Sequence, residues 1–405
     1  MLIPLLKIIV GIQLPKNSKP YSIQLVLVVI IKKKIIAVRS HYPDIRLEKE
    51  MAALSIKYDI TIIGWNRGRC ILSKSNQRSN RIIFSLNAAP GSIKVPFVLP
   101  YWWMFDIIQL LFNDFDIIHA VDFDSYLPSL IIAKLKRKPI IYDIYDFYGE
   151  TIDFPLFKKF CRKFFTKIDK FLMKYADSII IVDDARIEQI GNSHRRIISV
   201  YNSPIVENES LSNHKRTKQD DFIVFFGGIL LEDRGVDHVI TAVKALNDET
   251  VKLILMGYPG TLEYGEKIKE LCRDTKNIQL QLEMVPHEQI LEYTSKADTI
   301  FILYDPKIPN NVFASPNKLF ESMCFSKPVI VSDGSSMTKI VKDSNCGLIV
   351  QYGNIEEIKQ AILKLKDNPL LCNTFGENGR KAYEQKYSWT IMEKRLVIAY
   401  ENLRN

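Results

Sequence analysis

Two adjacent glycines followed by an arginine form the first candidate site in the sequence. Gly227 and Gly228 end an apolar run, and Arg234 stands directly before Gly235. Paired glycines let the backbone approach a ligand closely, and a guanidinium matches the oxygens of a phosphate. A helix that begins at this point would add unpaired N–H groups and the positive end of its dipole. The segment predicts a diphosphate-binding loop; the alternative is a tight turn with Arg234 in solvent.

A second candidate site is the segment SPNKLFE, residues 315–321. Ser315 is a plausible N-cap, and the proline after it suits the first turn of a helix. Lys318 and Glu321 would then lie about one turn inside that helix. A carboxylate in this position, at the mouth of a sheet, suits the vicinal hydroxyls of a ribose. The alternative is an exposed ion pair between the two side chains, worth about 0.3 kcal/mol.

Strand-like apolar runs and longer amphipathic stretches alternate on both sides of a polar break at residues 202–221. The predicted strands before the break are Lys34–Arg39, Asp59–Gly64, Arg81–Leu86, Asp116–His119, Pro139–Asp143, Ser178–Val182 and Arg196–Val200, with helices at Leu47–Lys57, Leu127–Leu135 and Phe157–Tyr175. The predicted strands after it are Phe222–Phe226, Val251–Met256, Asn277–Leu282, Thr299–Leu303, Pro328–Ser332 and Gly347–Gln351, with helices at Val236–Asn247, Glu263–Arg273 and Asn317–Phe325. This alternation predicts an α/β protein with two doubly wound domains, and ligands of such sheets bind at the carboxyl ends of the strands.

The order of these motifs resembles the retaining glycosyltransferases of the GT-B fold, family 4, also known as glycosyl transferases group 1. Segments that resemble the family further are DIRLEKE at 44–50, DIIHAVD at 116–122, YDIYD at 142–146, CGLIV at 346–350 and YSW at 387–389. The likeness covers about residues 33–402 and is greatest to the subgroup that carries SPNK. It implies an N-terminal extension at 1–32, an acceptor domain at 33–203 and a nucleotide-sugar donor domain at 204–385, both Rossmann-like and facing across a cleft. It also implies a C-terminal helix, 386–405, that packs back on the first domain.

The resemblance also implies roles for individual residues. Arg234 would bind the donor diphosphate and Glu321 the ribose, and the residues expected to contact the donor are Gly227, Gly228, Arg234, Ser315, Asn317, Lys318 and Glu321. Asp146 and Arg234 are the expected catalytic residues. The residues expected on the acceptor side are His41, His119, Asp122 and Tyr145, although His119 suits a structural role equally well. No metal or other cofactor is expected.

The chain departs from the family pattern at several positions. Phe313 stands where the family has the first Glu of its E-x7-E motif, Ile229 replaces a common Arg, and Tyr145 replaces a common His. We interpret these changes as divergence within the family rather than loss of activity. The DxD string at 122–124 is interpreted as a polar loop, because no second acidic cluster supports a metal there.

Composition limits the remaining possibilities. The 405 residues include 55 Lys and Arg against 46 Asp and Glu, a net charge of +9 that favours contact with anions. The longest apolar run, Leu25–Ile31, is too short to span a bilayer. Six scattered cysteines without a CxxC pair favour a reducing cytoplasm. Residues 1–31 are either a short interfacial anchor or an upstream extension of the first domain.

The segment 155–176 combines basic residues with a regular phenylalanine spacing. Either it is a surface helix that contacts an anionic membrane reversibly, or a helix packed by its phenylalanines with a solvated lysine face. No module for nucleic-acid binding is present.

The resemblance implies a glycosyltransferase of hexosyltransferase type, and the cysteine pattern favours the cytoplasm. A surface helix at 155–176, if it contacts a membrane, would place the protein at the inner membrane face. The enzyme would move a sugar from a nucleotide-diphosphate sugar to a glycan or lipid-linked acceptor in cell-surface glycan biosynthesis. The alternatives are a GT-B nucleotide-sugar epimerase or hydrolase, and a non-catalytic glycosyltransferase-like partner protein.

Overall fold

The structure is a computed structural model that describes residues 32–68, 79–88, 92, 94–147, 149, 158–191, 194, 196–205 and 221–403, apart from the side chains of 158–161. Three sequence-based predictions therefore lie wholly or partly outside the described residues. These are the N-terminal extension, most of the polar break at 202–221, and the first residues of the basic segment 155–176.

Seven parallel strands form the sheet of the N-terminal domain. They are β1 (Lys34–Tyr42), β2 (Asp59–Asn66), β3 (Asn80–Ser85), β4 (Ile117–Val121), β5 (Ile140–Ile144), β6 (Ser178–Ile181) and β7 (Ile197–Ser199), in the spatial order β3-β2-β1-β4-β5-β6-β7. Among the described residues, the helices of this domain are α1 (Ile45–Leu54), α2 (Val95–Phe112), α3 (Phe123–Lys136), α4 (Lys158–Met173) and α5 (Arg186–Ile190). The strand order reverses between β1 and β4, which places a ligand-binding crevice at their carboxyl ends.

The central strands are apolar throughout because helices cover both faces of the sheet. On one face, Ile35 and Ala37 of β1 belong to a core that includes Leu47 of α1. On the other face, Ile36 and Val38 belong to a core shared with α2, α3 and α4. Successive side chains of a strand point to opposite faces, so a single run of β-branched residues supplies both cores.

Six parallel strands form the sheet of the C-terminal domain. They are β8 (Phe222–Gly227), β9 (Val251–Met256), β10 (Ile278–Gln281), β11 (Thr299–Ile302), β12 (Val329–Ser332) and β13 (Gly347–Val350), in the order β10-β9-β8-β11-β12-β13. The α-helices described after residue 221 are α6 (Val236–Leu246), α7 (Leu262–Cys272), α8 (His287–Lys296), α9 (Pro309–Val312), α10 (Asn317–Cys324), α11 (Ser336–Ser344), α12 (Ile355–Asp367), α13 (Pro369–Ala382) and α14 (Trp389–Glu401). Two doubly wound parallel sheets confirm the predicted fold class.

The last helix, α14, leaves the C-terminal domain and packs on the N-terminal one. The hydroxyl of Tyr400 lies 2.7 Å from Nδ1 of His119, and Arg395 donates to the carbonyl of Ser199 at 3.2 Å. A surface pair between Lys57 and Glu401, 2.7 Å apart, adds a further link. The helix therefore ties the two domains together behind the cleft.

Several helices differ from the sequence-based predictions. α3 begins at Phe123 rather than Leu127, so the string 122–124 is not a loop: Asp122 is the N-cap and the next two residues are in the first turn. α2 has no counterpart among the predicted helices. That helix is apolar around most of its circumference and contains Pro100, so it shows neither a helical period nor an unbroken apolar run.

Candidate active site

A cavity of about 510 Å³ lies in the cleft between the two domains. The N-terminal domain lines it with Arg39, Pro43, Asp44, Ile45, Arg46, Tyr145, Asp146, Val182, Arg186 and Asn202, and the C-terminal domain with Arg234, Tyr304, Asn310, Asn311, Ala314, Ser315, Pro316 and Asn317. Four guanidinium groups face two carboxylates in this lining. The cavity is therefore suited to an anionic ligand.

Arg234 lies at the end of a short 3-10 turn between β8 and α6. The turn is followed by Gly235, whose φ is 63° and whose position would bring a Cβ within 2.8 Å of the Leu303 side chain. Arg234 stacks over the ring of Tyr304 at 3.7 Å, and its Nη1 donates to Asp233 at 2.8 Å and to Asn311 at 2.7 Å. These contacts fix the guanidinium at the cavity wall in one orientation.

Lys318 supplies a second positive charge beside Arg234. Its Nζ lies 3.6 Å from the centre of the Phe226 ring and against Gly228, where a Cβ would stand 3.6 Å from the ammonium. Burial, together with repulsion by Arg234, lowers the pKa of Lys318 to about 7, while Glu321 acts in the opposite direction. An anion bound here would relieve that repulsion and favour the charged form. Gly228 has a φ of 131°, a conformation that residues with a side chain rarely adopt. The Lys318 ammonium lies against the side of this residue where a Cβ would be.

Glu321 is nearly inaccessible and is paired with a histidine that the sequence analysis did not single out. His287, the first residue of α8, places Nε2 2.8 Å from Oε1 of Glu321. This hydrogen bond raises the pKa of His287, while burial opposes the rise. Lys318 and Glu321 contact separate partners, so the exposed ion pair offered as an alternative is not formed.

Ser315 does not cap α10, because the N-cap of that helix is Pro316. The Ser315 hydroxyl instead donates to the Val182 carbonyl at 3.4 Å across the cleft.

Asp146 is the exposed carboxylate on the N-terminal side of the cavity, with 55% of its side chain accessible. Its Oδ1 accepts from Nη2 of Arg186 at 3.4 Å and from Nδ2 of Asn310 at 2.9 Å. Its backbone N–H donates to Asp122 at 3.2 Å. Asp146 is thus held from both domains, with its charge facing the cavity.

Asp122 lies behind the cavity rather than in its lining. It accepts hydrogen bonds from the backbone N–H groups of Tyr145 and Asp146 and forms an ion pair with Arg39. Burial raises its pKa to about 6 against the opposing effect of Arg39. The ring of Tyr145 lies 4.6 Å from the guanidinium carbons of both Arg39 and Arg46. Asp122 therefore acts through the loop it holds, whereas Tyr145 lines the cavity itself.

The two histidines expected on the acceptor side lie elsewhere. His119 is fully buried beneath α14, between Tyr400 and Asp143, whose Oδ2 is 3.4 Å from Nε2. A fully buried ring cannot contact an acceptor substrate. The expectation that His119 lies on the acceptor side is therefore wrong, and its role is structural. His41 is outside the cavity lining and has its Nδ1 3.0 Å from the Ser40 hydroxyl. Four residues expected to contact the donor are also outside the lining: Gly227, Gly228, Lys318 and Glu321. A Cβ at Gly227 would come within 2.6 Å of Ile290 on α8.

Charged and polar residues that line the cavity without having been predicted as site residues include Arg39, Asp44 and Arg46 of the N-terminal domain. Four others are Arg186, Tyr304, Asn310 and Asn311. Arg186 lies in the segment that follows β6 and the other three in the segment that follows β11, so each is on a connection that leaves the carboxyl end of a strand. That rule for parallel sheets was the available signal. The family pattern points instead to Phe313, which is the C-cap of α9, two residues after Asn311.

A buried polar cluster lies next to the site. Glu50, His119 and Asp143 bring potential ligand atoms within 4.8 Å of one another. The cluster also contains the guanidinium of Arg46, which lies 2.9 Å from Glu50 and 3.8 Å from Asp143. Burial raises the pKa of Glu50 to about 8. Burial would also raise the pKa of Asp143, but Arg46 and His119 outweigh it and hold that pKa below its usual range. A fixed cation already balances these carboxylates, so the cluster fits an ion-pair network better than a metal site.

Residues 207–382 match the family model described as "Glycosyl transferases group 1". This segment is similar to a group 1 glycosyl transferase domain. Among similar sequences, an uncharacterized glycosyltransferase of Methanocaldococcus jannaschii is 26% identical over 76% of this chain and 80% of that protein. The capsular polysaccharide biosynthesis glycosyltransferase CapM of Staphylococcus aureus is 24% identical over 68% of this chain and 73% of its own. These findings support a glycosyltransferase of group 1.

Solved structures show the same architecture. The HepE protein of Anabaena, in complex with UDP and glucose, superposes with a TM-score of 0.68 at 14% identity over 92% of this chain and all of that one. Sucrose-phosphate synthase from Thermosynechococcus elongatus gives the same TM-score and identity over 92% and 99% of the two chains. The likeness confirms the GT-B fold.

Proposed function

We propose that the protein is a retaining hexosyltransferase that moves a sugar from a nucleotide-diphosphate sugar to a hydroxyl of a glycan or lipid-linked acceptor in cell-surface glycan biosynthesis. One observation carries the proposal: a single cavity joins Arg234 of the C-terminal domain to Asp146 of the N-terminal domain. An anion-binding side chain and an exposed carboxylate thus face each other across the cleft. The likeness to a capsular polysaccharide glycosyltransferase supports the class of product.

The donor diphosphate would bind between Arg234 and Lys318. Both are held in place, the first over Tyr304 and the second over Phe226. When the bond from the anomeric carbon to the phosphate oxygen breaks, its electron pair stays on the diphosphate. Two preorganised cations stabilise that developing charge without reorganisation, and removal of one such donor typically costs about 3–4 kcal/mol of transition-state stabilisation. Glu321, next to Lys318 in α10, would accept the ribose hydroxyls.

The donor sugar would meet an amide where the family has a carboxylate. Phe313 occupies the position of the first Glu, but the preceding turn, α9, sends Asn310 and Asn311 into the cavity. Asn311 donates to Asp233 at 2.8 Å and accepts from Arg234, so its position relative to the diphosphate site is fixed. We infer that the Asn310 amide hydrogen-bonds a hydroxyl of the sugar. Asn311, which is buried and already donates to Asp233 and to the Asp305 carbonyl, positions Arg234 instead.

The acceptor would approach from the N-terminal domain, where Asp146 is the carboxylate placed to take the proton of the attacking hydroxyl. The charge of the diphosphate is met by side chains, and we therefore propose a reaction with no metal requirement, in a cytoplasmic enzyme that acts at a membrane surface.

A transfer assay tests this proposal. The full chain is incubated with radiolabelled nucleotide sugars and a lipid extract, and the anomeric configuration of the product is read by NMR. We expect label in a lipid or glycan product with the anomeric configuration of the donor. Inversion would refute the retaining mechanism. Donor consumed equally without acceptor would instead indicate an epimerase or hydrolase, and binding without turnover a non-catalytic partner.

A further inference from the structure

The helix α2 exposes an unbroken apolar stripe. Phe97, Tyr101, Met104, Ile108 and Leu111 recur every three or four residues and are all exposed, Phe97 by 73%, and Phe112 at the end of the helix is exposed by 85%. At 100° per residue these side chains point to one side of the helix. The helix contains a single charged residue, Asp106, which is buried. Eighteen residues therefore present no charge to solvent.

The opposite side of α2 is part of the N-terminal core. Leu99, Trp102 and Leu110 are buried against the sheet, where Trp102 stacks on Trp65 with ring centres 6.0 Å apart. By length and composition alone α2 could cross a membrane. Its packed side, however, fixes it along the surface of the domain. The stripe is thus suited to lie on an apolar phase rather than to pass through one.

The neighbouring helices of the same layer extend this surface. Ile131 and Leu135 of α3 are exposed beside α2, as are Phe164 and Phe171 of α4 beyond them. The layer is continuous, because Lys136 donates to the Leu111 carbonyl at 2.9 Å on one side of α3 and Tyr126 to the Leu172 carbonyl at 3.0 Å on the other. We call the outer side of α2, α3 and α4 the helical-layer surface.

The charges on this surface have one sign. The acidic residues of the three helices are Asp106, Asp124 and Asp169, and all are buried. The exposed charged residues of these helices, among the described side chains, are basic: Lys134 on α3 and Lys163, Lys167 and Lys170 on α4. Lys174, in the turn directly after α4, is exposed as well. The lysines of α4 follow its exposed phenylalanines at the same helical spacing, displaced to one side.

We propose that the helical-layer surface docks the protein on an anionic lipid bilayer, with the α2 stripe inserted at the headgroup boundary and the α4 lysines on the headgroups. Apolar insertion and basic residues are the two components that make interfacial binding strong and reversible. A second copy of this chain fits poorly, because a two-fold contact would oppose lysines to lysines. The sequence alone pointed only to segment 155–176; the structure makes α2 the principal contact. The proposal does not depend on the transfer reaction.

Vesicle co-sedimentation of the full chain tests the proposal. The variant F97S/M104S/F112S removes three exposed apolar side chains without entering the core. The matched control L262S/L370S removes exposed apolar side chains of the C-terminal domain. On vesicles containing phosphatidylglycerol we expect the partition coefficient of the first variant to fall by about tenfold or more, and that of the control to remain at the wild-type value. The variant K163Q/K167Q/K170Q should lose the preference for phosphatidylglycerol over pure phosphatidylcholine, as should the wild type at high salt.

Two results would overturn the proposal. One is equal partitioning of the wild type and F97S/M104S/F112S, which would assign any binding to another part of the chain. The other is a wild-type dimer in light scattering that the same variant dissociates, which would make the surface a subunit interface. Circular dichroism of each variant establishes that it is folded.

Discussion

Arg186 and Asn310 hydrogen-bond across the cleft, with Nη2 of the arginine 3.3 Å from Oδ1 of the asparagine. Both side chains also donate to Asp146, so one carboxylate is held by a residue from each domain. The orientation of Asp146 therefore depends on the approach of the two domains. A movement of the two domains relative to each other would therefore change the orientation of the Asp146 carboxylate.

Asp146→Asn tests that carboxylate. The amide keeps the size of the side chain and an acceptor for Arg186, but it cannot take a proton. We expect kcat to fall by about 100-fold or more with little change in donor Kd, as is typical for loss of a general base. Steady-state kinetics and calorimetry measure the two quantities. Asp114→Asn, at an exposed ion pair with Lys34, is the matched control. Retention of wild-type kcat by Asp146→Asn would remove Asp146 from the chemistry.

Lys318 makes donor binding dependent on pH. Its pKa of about 7 leaves the amine mostly neutral at about pH 8, and a bound diphosphate favours the ammonium. Binding at that pH should take up a proton, and the affinity should fall as pH rises above 7, by up to about tenfold per unit. Calorimetry in two buffers of different ionisation enthalpy measures the uptake. We expect Lys318→Met to bind more weakly and to lose the buffer dependence; a buffer-independent enthalpy in the wild type would contradict this prediction.

The pair of His287 and Glu321 should stabilise the fold in acid. Because the folded-state pKa of His287 is raised above its ordinary value of 6.5, the stabilisation is fully present below that value. It is lost as pH rises through the folded-state pKa. His287→Gln should lower the free energy of unfolding by about 1 kcal/mol at low pH, a figure reduced because the imidazole is partly exposed. Urea unfolding across the pH range measures the difference. A difference that grows with rising pH would contradict the assignment.

Tyr400→Phe tests the structural role of His119. The change leaves Nδ1 of a fully buried imidazole without its partner at 2.7 Å, which costs about 1–3 kcal/mol. We expect lower stability in urea and unchanged KM for the acceptor. Tyr175→Phe, at an exposed tyrosine, controls for loss of a hydroxyl alone. A raised acceptor KM at wild-type stability would return His119 to the acceptor side.

The alternation of apolar runs and amphipathic stretches was sufficient to predict most of the fold. Both sheets were predictable because their strands are β-branched runs buried on two faces, and Arg234, Asp146, Ser315 and Asn317 line the predicted cleft. The apolar helix α2 was not predictable, since it lacks the period on which helix prediction depends.

Contacts between distant segments account for the other errors. His119 and Tyr400 are 281 residues apart, and their pairing depends on where α14 crosses. His287 carries no signal of its own in the sequence, because its partner Glu321 lies on a different helix. The pairing of Arg186 with Asn310 likewise depends on how the two domains approach each other.

Calorimetric titration of the full chain with UDP, GDP, ADP, CMP and their sugars tests the central claim most directly. It compares the wild type with Arg234→Gln and with the matched control Arg273→Gln, at an exposed arginine paired with Glu270. We expect selective binding of one nucleotide, a loss of affinity of about tenfold or more in Arg234→Gln, and wild-type affinity in the control. If the folded wild type binds no nucleotide of the panel, or if Arg234→Gln binds as tightly as the wild type, the proposed donor site is contradicted.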